Sequence, residues 1–449
     1  MRTGSHENRT IFLQIWCGQL ISMIGTGLTL FSLGIITYQK TAAASGYVFL
    51  LICVFLPPFL LKPLGGILAD RYDRRMMMVA GDLGSSLGLV FIFFMMANGC
   101  SDLRYLYAGV ALSSVFSAFQ EAAYQALVTD LLPEEGYARA SGLIQLAHSA
   151  RYLISPFLAG ILITVMKIEY IFLIDITTLI FASSIVVWTG KKTCFPMRNR
   201  AGRNMLSDFM EGFRSFTGVR GVVVLVWTIT LVLFFVGLLQ SLLTPMLLDL
   251  VPARTVGISQ SVSASGIILG SLFIGFFGGR YKHLYILSVS LFLSGIFFSC
   301  LGLSTHIIII TLSGFLFFAS LPFINTSIEV LIRKNISREK QGRVWSLISM
   351  VSYLGSVAAF AVAGFLADRI FNPLLEPGGL LADTVGLIVG TGRGRGIALL
   401  FILSGLAISA ISCCVRLNSS IRGLEEVIPV IDVIPPKNTL PNCVIDNMQ

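Results

Sequence analysis

Charged side chains are scarce in this sequence. They make up 12% of its 449 residues, about half the share of ~25% in an average soluble domain. Hydrophobic residues reach 55% and the mean hydropathy is +0.84. A soluble core has no use for so much apolar surface, so lipid must be the solvent for most of the chain. Other shortages narrow the function. No G-x-x-x-x-G-K-[ST] stretch exists, so ATP held on a phosphate loop is not the direct energy source. Four histidines and eight cysteines show no CxxC or other ligand spacing, so no metal or other cofactor is expected, and the cysteines read as reduced and structural. No cluster of histidine with carboxylates and no activated nucleophile is visible, so an enzyme is not expected. The first apolar window is long and lacks a small-residue cleavage site, so it is expected to remain as a membrane helix rather than a removed leader.

What is abundant is long apolar runs. Windows at roughly 11–37, 46–68, 76–97, 105–128, 140–165, 168–189, 219–245, 256–278, 283–303, 306–330, 343–366 and 396–415 each approach or exceed the ~20 residues needed to cross the hydrocarbon. They are too long and too unalternating for barrel strands, and in lipid the alternative is helix. The fold class is therefore all-α integral membrane, with about twelve transmembrane helices. With the N-terminus in the cytoplasm, 23 Lys and Arg fall in cytoplasmic segments and 7 in external ones. That asymmetry puts both termini inside, in the cell inner (plasma) membrane. It also explains the formal charge of +9 without nucleic acid.

The longest polar stretch between windows, with Lys191, Lys192, Arg198, Arg200, Arg203 and Arg214, divides them six and six. A parallel repeat follows. Arg139, Leu143, Ile144, Ala159, Gly160 and Leu162 recur 204 residues later as Arg343, Leu347, Ile348, Ala363, Gly364 and Leu366; Gly66, Arg71 and Tyr72 recur 209 residues later as Gly275, Arg280 and Tyr281. The expected organisation is a six-helix bundle over 1–190, a cytoplasmic linker over 191–218, a second bundle over 219–416 and a polar, loosely ordered tail over 417–449. The second bundle carries an external loop over 367–395. Its glycines, Gly392-Arg393-Gly394-Arg395-Gly396, lack the Lys-Ser/Thr of a phosphate loop. A short interfacial or re-entrant piece at Leu387–Val389 is expected instead.

Between the second and third windows runs Gly65-Gly66-Ile67-Leu68-Ala69-Asp70-Arg71-Tyr72-Asp73-Arg74-Arg75. It resembles the signature loop of the major facilitator superfamily, G-x-x-x-D-R-x-G-R-R, with Asp73 in place of the later glycine. Gly66 is suited to close helix approach, Asp70 to capping a helix end or pairing with a cation, and Arg71, Arg74 and Arg75 to holding the loop in the cytoplasm. The D-R-Y-D-R-R form, Gly81-Asp82-Leu83, Gly342-Arg343-Val344-Trp345 and Ala363-Gly364-Phe365-Leu366-Ala367-Asp368-Arg369 are similar to the branch of macrolide efflux proteins and enterobactin exporters. The long last external loop resembles members found beside nonribosomal peptide synthesis genes. The resemblance covers most of residues 9–416. Two departures stand out. Gly142, Arg151, Ser155, Pro156, Ala159 and Gly160 keep the frame of the family's antiporter motif, but Arg151 replaces a glycine. The fourth helix carries Ser113 and Ser114 where the family tends to have an arginine, so Arg151 is a candidate substitute in proton coupling.

Ionisable groups in a bilayer cost ~2.5–3.5 kcal/mol each by insertion scales, so each calls for a reason. Glu121 lies on a stripe with Ser113, Ser117, Gln120 and Tyr124, one polar face of an apolar helix. Desolvation favours proton uptake by such a carboxyl. Glu121, Asp82 and Asp175 are the proton-coupling candidates; a fixed ion pair of Glu121 with Arg151 is the structural alternative. The resemblance implies a central cavity lined by the first, fourth, seventh and tenth helices. Candidates for it are Gln19, Ser22 and Thr26 in the first, Ser117, Gln120 and Tyr124 in the fourth, Thr230 and Ser241 in the seventh, and Asn325 in the tenth, with Arg151 from the fifth. Phe234, Phe317, Phe318 and Phe323 are candidates to stack on a bulky ligand, and His148 is a secondary titrating candidate. Glu329 and Arg333, four apart, read as a simple pair. The expectation is proton-coupled export of a hydrophobic or amphiphilic small molecule by a monomer, with protons, the cargo and the bilayer as partners. An uncoupled facilitator or importer, or a non-transporting receptor or accessory subunit of a biosynthetic assembly, stays open.

Overall fold

The computed structural model describes residues 2–100, 102–133, 136–190, 219–277, 282–336 and 341–426. The expected linker 191–218, the repeated Arg280-Tyr281 and the tail beyond 426 lie outside them. The described residues form helices and connecting turns with no strand. The first six long helices are α1 (Arg2–Thr41), α2 (Ala44–Arg71), α3 (Arg74–Ala97), α4 (Leu103–Leu131), α5 (Tyr137–Val165) and α6 (Ile168–Gly190). The next six are α7 (Arg220–Leu248), α8 (Ala253–Phe277), α9 (His283–Leu303), α10 (Ile307–Asn335), α11 (Gln341–Phe365) and α12 (Arg395–Leu417). Among the described residues, eleven of these are long and apolar enough to cross a membrane. The remaining one, α4, has 29 residues, and its serines, Gln120 and Glu121 dilute its hydropathy.

Local chemistry sets the helix ends. Asp73, which stands where the signature loop has glycine, is the N-cap of α3: its carboxylate accepts from the Arg75 and Met76 backbone N–H groups at 2.8 and 3.4 Å. Asp102 caps α4 through the Arg104 N–H at 3.0 Å. Prolines 57, 58 and 63 sit inside α2 and Pro156, Pro245 and Pro322 inside α5, α7 and α10. Neighbouring helices make such breaks tolerable in a membrane.

The helices pack as a parallel repeat. In the first bundle α1 lies against α5 and α6, α3 against α4 and α6, and α2 against α4. Adding six to each number gives the second bundle: α7 against α11 and α12, α9 against α10 and α12, α8 against α10. The bundles meet along α2–α11 and α5–α8, which the same operation exchanges. Small residues permit that seam. A Cβ at Gly257 of α8 would stand 2.2 Å from the Pro156 carbonyl oxygen, and one at Gly364 of α11 would stand 2.7 Å from Ser45 Cα.

Two segments beyond the bundles take shape. After α11 the chain continues through a π-helical turn (Leu366–Phe371) and short turns at Asn372–Leu375 and Gly386–Val389. Gly390, Gly392 and Gly394 follow with φ of 92°, 118° and 76°, values that favour glycine. Leu387 and Ile388 project outward, 83% and 73% exposed, while Val389 is buried. Arg395 is buried and donates from Nη2 to the Gly302 carbonyl at 3.1 Å, fastening the loop to the end of α9. The start of the tail, expected to be loose, instead forms α13 (Ser419–Glu426). Asn418 Oδ1 caps it, accepting from Ser420 N at 2.9 Å, and Ile421 and Leu424 are buried against the second bundle. Asn335 Nδ2 donates to the Leu424 carbonyl at 3.0 Å. Two apolar residues in an eight-residue polar segment carry too little periodicity to announce such a helix.

Candidate functional site

A cavity of about 300 Å³ lies between the bundles, with walls from α1, α2 and α5 on one side and α7, α8 and α10 on the other. Phe31, Phe55, Leu243, Ile267 and Phe318 are among its apolar walls. Its polar groups come mainly from α5, where Gln145, His148, Ser149, Arg151 and Tyr152 follow one face. The facing bundle contributes Gln240, Thr244 and Gln260. This volume falls at the lower end of the range for drug-sized ligands, and the mix of apolar wall and few polar groups is usual for such sites.

The cavity is shut at the end where α1 turns into α2. Tyr38 donates to Asp249 at 2.8 Å, joining α1 to the end of α7. The first N–H groups of α2, from Ala44 and Ser45, donate to the two carboxylate oxygens of Asp368 at 3.0 and 2.7 Å. A residue beyond α11 therefore caps a helix of the other bundle, satisfying donors that a helix start leaves open. Just inside, the Tyr47 and Thr244 hydroxyls meet at 3.3 Å, and Gln260 Nε2 donates to Thr244 at 2.7 Å. Toward the opposite end, which carries the signature loop, Gly142 of α5 and Gly66 of α2 face open space. The close approach expected at Gly66 is made in this conformation by Gly65, where a Cβ would stand 2.9 Å from Ala122.

The arginines of the signature loop fasten the first bundle to itself. Arg74 forms an ion pair with Asp130 at 2.5 Å and donates to the Ala126 carbonyl at 2.7 Å. Arg75 donates to the Gly190 carbonyl at 3.0 Å. Arg71 is exposed; the Asp70 side chain lies outside what is described.

Of the carboxyl candidates, two are deep inside the first bundle. Asp175 of α6 is fully buried; Thr26 donates to its Oδ1 at 3.2 Å, and its Oδ2 has no hydrogen-bond partner among the described residues. Asp82 of α3 is 3% exposed and accepts from Ser183 at 3.4 Å. Gln19 stands beside it and accepts from Gln120 Nε2 at 2.7 Å. Nearby, Ser85 bonds Ser113 at 2.6 Å and Ser117 at 3.2 Å. Ser22 and Tyr124 are buried in the same bundle, and the Tyr124 hydroxyl is without a partner among the described residues. Gln19, Ser22, Thr26, Ser117, Gln120 and Tyr124 thus form the polar interior of the first bundle, and the walls of the cavity are other residues. Glu121 is exposed and forms no ion pair with Arg151. Both act electrostatically on His148 and on Tyr353 of α11, which gathers Glu121, Arg151 and His148 in one region.

In the second bundle, Thr230 and Ser241 are buried and bond their own helix, to the Val226 and Leu238 carbonyls at 2.7 and 3.0 Å. Asn325 is exposed. Phe318 lines the cavity, whereas Phe317 stacks edge-on against Phe298 in the core. Arg333 and Glu329 form the simple pair expected of their spacing. Tyr47, Tyr152, Gln145, Gln240 and Gln260 were not legible as site residues. They come from four different helices, and packing of the bundles brings them together.

Comparison with known proteins agrees with this architecture. The model of a family described as the Major Facilitator Superfamily matches residues 15–250, more than half of the chain. Macrolide efflux protein A of Streptococcus pyogenes is 27% identical over 374 residues, covering 80% of this chain and 90% of that protein. A multi-drug resistance efflux pump of Streptococcus pneumoniae is 24% identical over 322 residues, covering 68% and 76%. Among solved structures, a bacterial homologue of the human lysosomal transporter Spinster, inward-facing and unoccupied, superposes with a TM-score of 0.69 at 15% identity, covering 93% of this chain and 98% of that one. An inward-facing bacterial homologue of the iron transporter ferroportin gives 0.68 at 14% identity, covering 91% and 99%. At such identities the likeness is one of fold.

Proposed function

Because this chain belongs to the major facilitator superfamily, we propose that it exports a hydrophobic or amphiphilic small molecule in exchange for protons, by alternating access of its two halves. The observation that carries this reading is a cavity between the bundles that hydrogen bonds close where α1 turns into α2, while Gly66 and Gly142 toward the other end face open space. The excess of Lys and Arg at the signature-loop end makes that end cytoplasmic and the closed end external, so the conformation is one that waits for cargo from inside. The names of the efflux relatives in Streptococcus support the outward direction. The moving halves are 1–190 and 219–416, tethered by 191–218, in a bacterial inner membrane with both termini inside; one chain suffices.

Proton exchange rests on Asp175, Asp82 and Glu121. None is in an ion pair with a described residue. Asp175 is nearest in logic to the cargo. Its hydrogen-bond partner Thr26 is on α1 beside Gly27, which lines the cavity and packs against the stem of Arg151. The loop of Gly66, Asp70, Arg71, Arg74 and Arg75 is then the switch at the open end, tied to the first bundle and set to meet the second when the cavity opens outward.

The test uses proteoliposomes with an imposed pH gradient, a pH-sensitive dye, and a panel of macrolides, dyes and peptide siderophores. Substrate-triggered proton flux lost in Asp175→Asn, Asp82→Asn or Glu121→Gln is the expected result and identifies the coupling carboxyl. Cargo movement insensitive to a protonophore would replace the antiporter with an uncoupled facilitator. Cargo bound without movement would favour a receptor.

A further inference from the structure

Arg151 is the one Lys, Arg, Asp or Glu among the residues lining the cavity, and Glu121 stands nearby outside that lining. Arg151 makes no hydrogen bond or ion pair with any described residue. No Asp or Glu is among the lining residues. An arginine in a membrane interior is expensive unless an anion or carbonyl oxygens meet it, and guanidinium offers five N–H donors in a fixed fork suited to carboxylate geometry. Here those donors are unspent on the described residues.

The position of Arg151 is built. A Cβ at Gly27 of α1 would stand 3.0 Å from Arg151 Cγ and 2.3 Å from Ser155 Oγ, so the missing side chain at Gly27 is what lets the arginine stem lie against α1. Ser155 donates to the Ile24 carbonyl at 2.9 Å, fixing α5 on α1 beside it. The nearby acids stay out of the wall: Asp175 is sealed behind α1 and held by Thr26, and Glu121 on α4 does not pair with Arg151. Around the arginine stand neutral donors, Gln145, Ser149 and Tyr152 on α5, with Gln240 and Gln260 facing from the other half. Beyond them the wall is aromatic and aliphatic.

We propose that the cavity binds an amphiphile with an anionic group, its charge held by Arg151 and its apolar body laid against Phe31, Phe55 and Phe318. This rests on the export reading and gives it a substrate class. A lipophilic cation meets the Arg151 guanidinium in the wall, whereas the nearby carboxylate, Glu121, stands outside the lining. An inside-negative membrane potential also drives an anion outward.

The test is equilibrium binding to the full-length chain in lipid nanodiscs, with signal from empty nanodiscs subtracted. The probes share one apolar body: 1-pyrenebutyrate, its methyl ester and 1-pyrenebutylamine. The carboxylate is expected to bind at least tenfold more tightly than the amine, with the ester between them. Arg151→Gln is expected to erase that preference, and its thermal melting in nanodiscs, compared with the unaltered chain, reports that the variant is folded. Arg151→Lys is expected to retain part of the preference, as a point charge without the fork. Equal or tighter binding of the amine, a preference that survives Arg151→Gln, or no binding of any probe would overturn the proposal. The measurement does not depend on transport. Selectivity without export in proteoliposomes would remove the export reading and leave the cavity chemistry standing.

Discussion

The two bundles share a packing scheme and differ in what they bury. The first hides Asp82, Asp175, Gln19 and a run of serines, and its apolar contacts fall into several small clusters. The second contributes most of one large cluster that runs through α7, α9, α10 and α12. Several of its buried hydroxyls turn back on their own helices, as Ser290 and Ser320 do. The lesson is a division of labour within one repeat. The second bundle is built around one continuous apolar core. The first carries the buried carboxyls, Asp82 and Asp175, and it bears the cost of burying them.

That contrast is open to attack, beginning with the largest effect. Phe298 is fully buried and stacks edge-on with Phe317 and Phe401 at 5.1 and 5.3 Å. Phe298→Ala should destabilise the protein by about 3–5 kcal/mol, measured as loss of thermal stability in detergent. Asp175→Asn, by contrast, should leave melting unchanged or raise it, because an amide keeps the Thr26 contact without a buried charge, yet should abolish proton-driven flux. A stable protein that still pumps after this change, or an Asp175→Asn protein that fails to fold, would erase the distinction between the bundles.

A smaller effect is expected where the bundles meet. Asp368→Ala removes the cap on α2, a loss of about 1 kcal/mol, which corresponds to roughly a fivefold shift toward opening of that end. Spin-label distances between the outer ends of α2 and α11 would read it as a larger population of long separations. Asp73→Ala, which removes a cap inside the first bundle alone, should cost a similar amount of stability without moving those distances. The smallest effect is expected in the second bundle's own polar groups. Thr230→Val and Ser241→Ala lose hydroxyls bonded only to their own helix. They should change stability by less than about 1 kcal/mol and leave transport rates intact in the liposome assay.

The fold was legible because length and hydropathy act locally. Each apolar window became a helix, and the spacing of Arg139 and Gly160 from Arg343 and Gly364 already announced the repeat. The stripe on α4 was legible in the same way, and its polarity is what lowers the hydropathy of that helix. Arg151 stood out as a cation where a small residue was expected, and it is among the residues that line the cavity. Gln19 and Gln120 stood out as polar, but periodicity does not say whether a polar face meets a cavity or its neighbours. The structure joins them to each other inside the first bundle. Phe317 and Phe318 are adjacent and alike in sequence; one is core and the other is cavity wall.

By itself, the sequence determined what each segment must be in lipid: a helix wherever about twenty apolar residues run on. Tertiary structure alone decided what crosses between the halves. Asp368 caps a helix that begins 324 residues earlier, Tyr38 reaches Asp249 across 211, and Gln240 and Gln260 meet Arg151 around one cavity. Hydropathy and capping act over one or two helical turns and leave their mark on neighbouring residues. Contacts between the halves depend on how two complete bundles dock, and no local pattern records that.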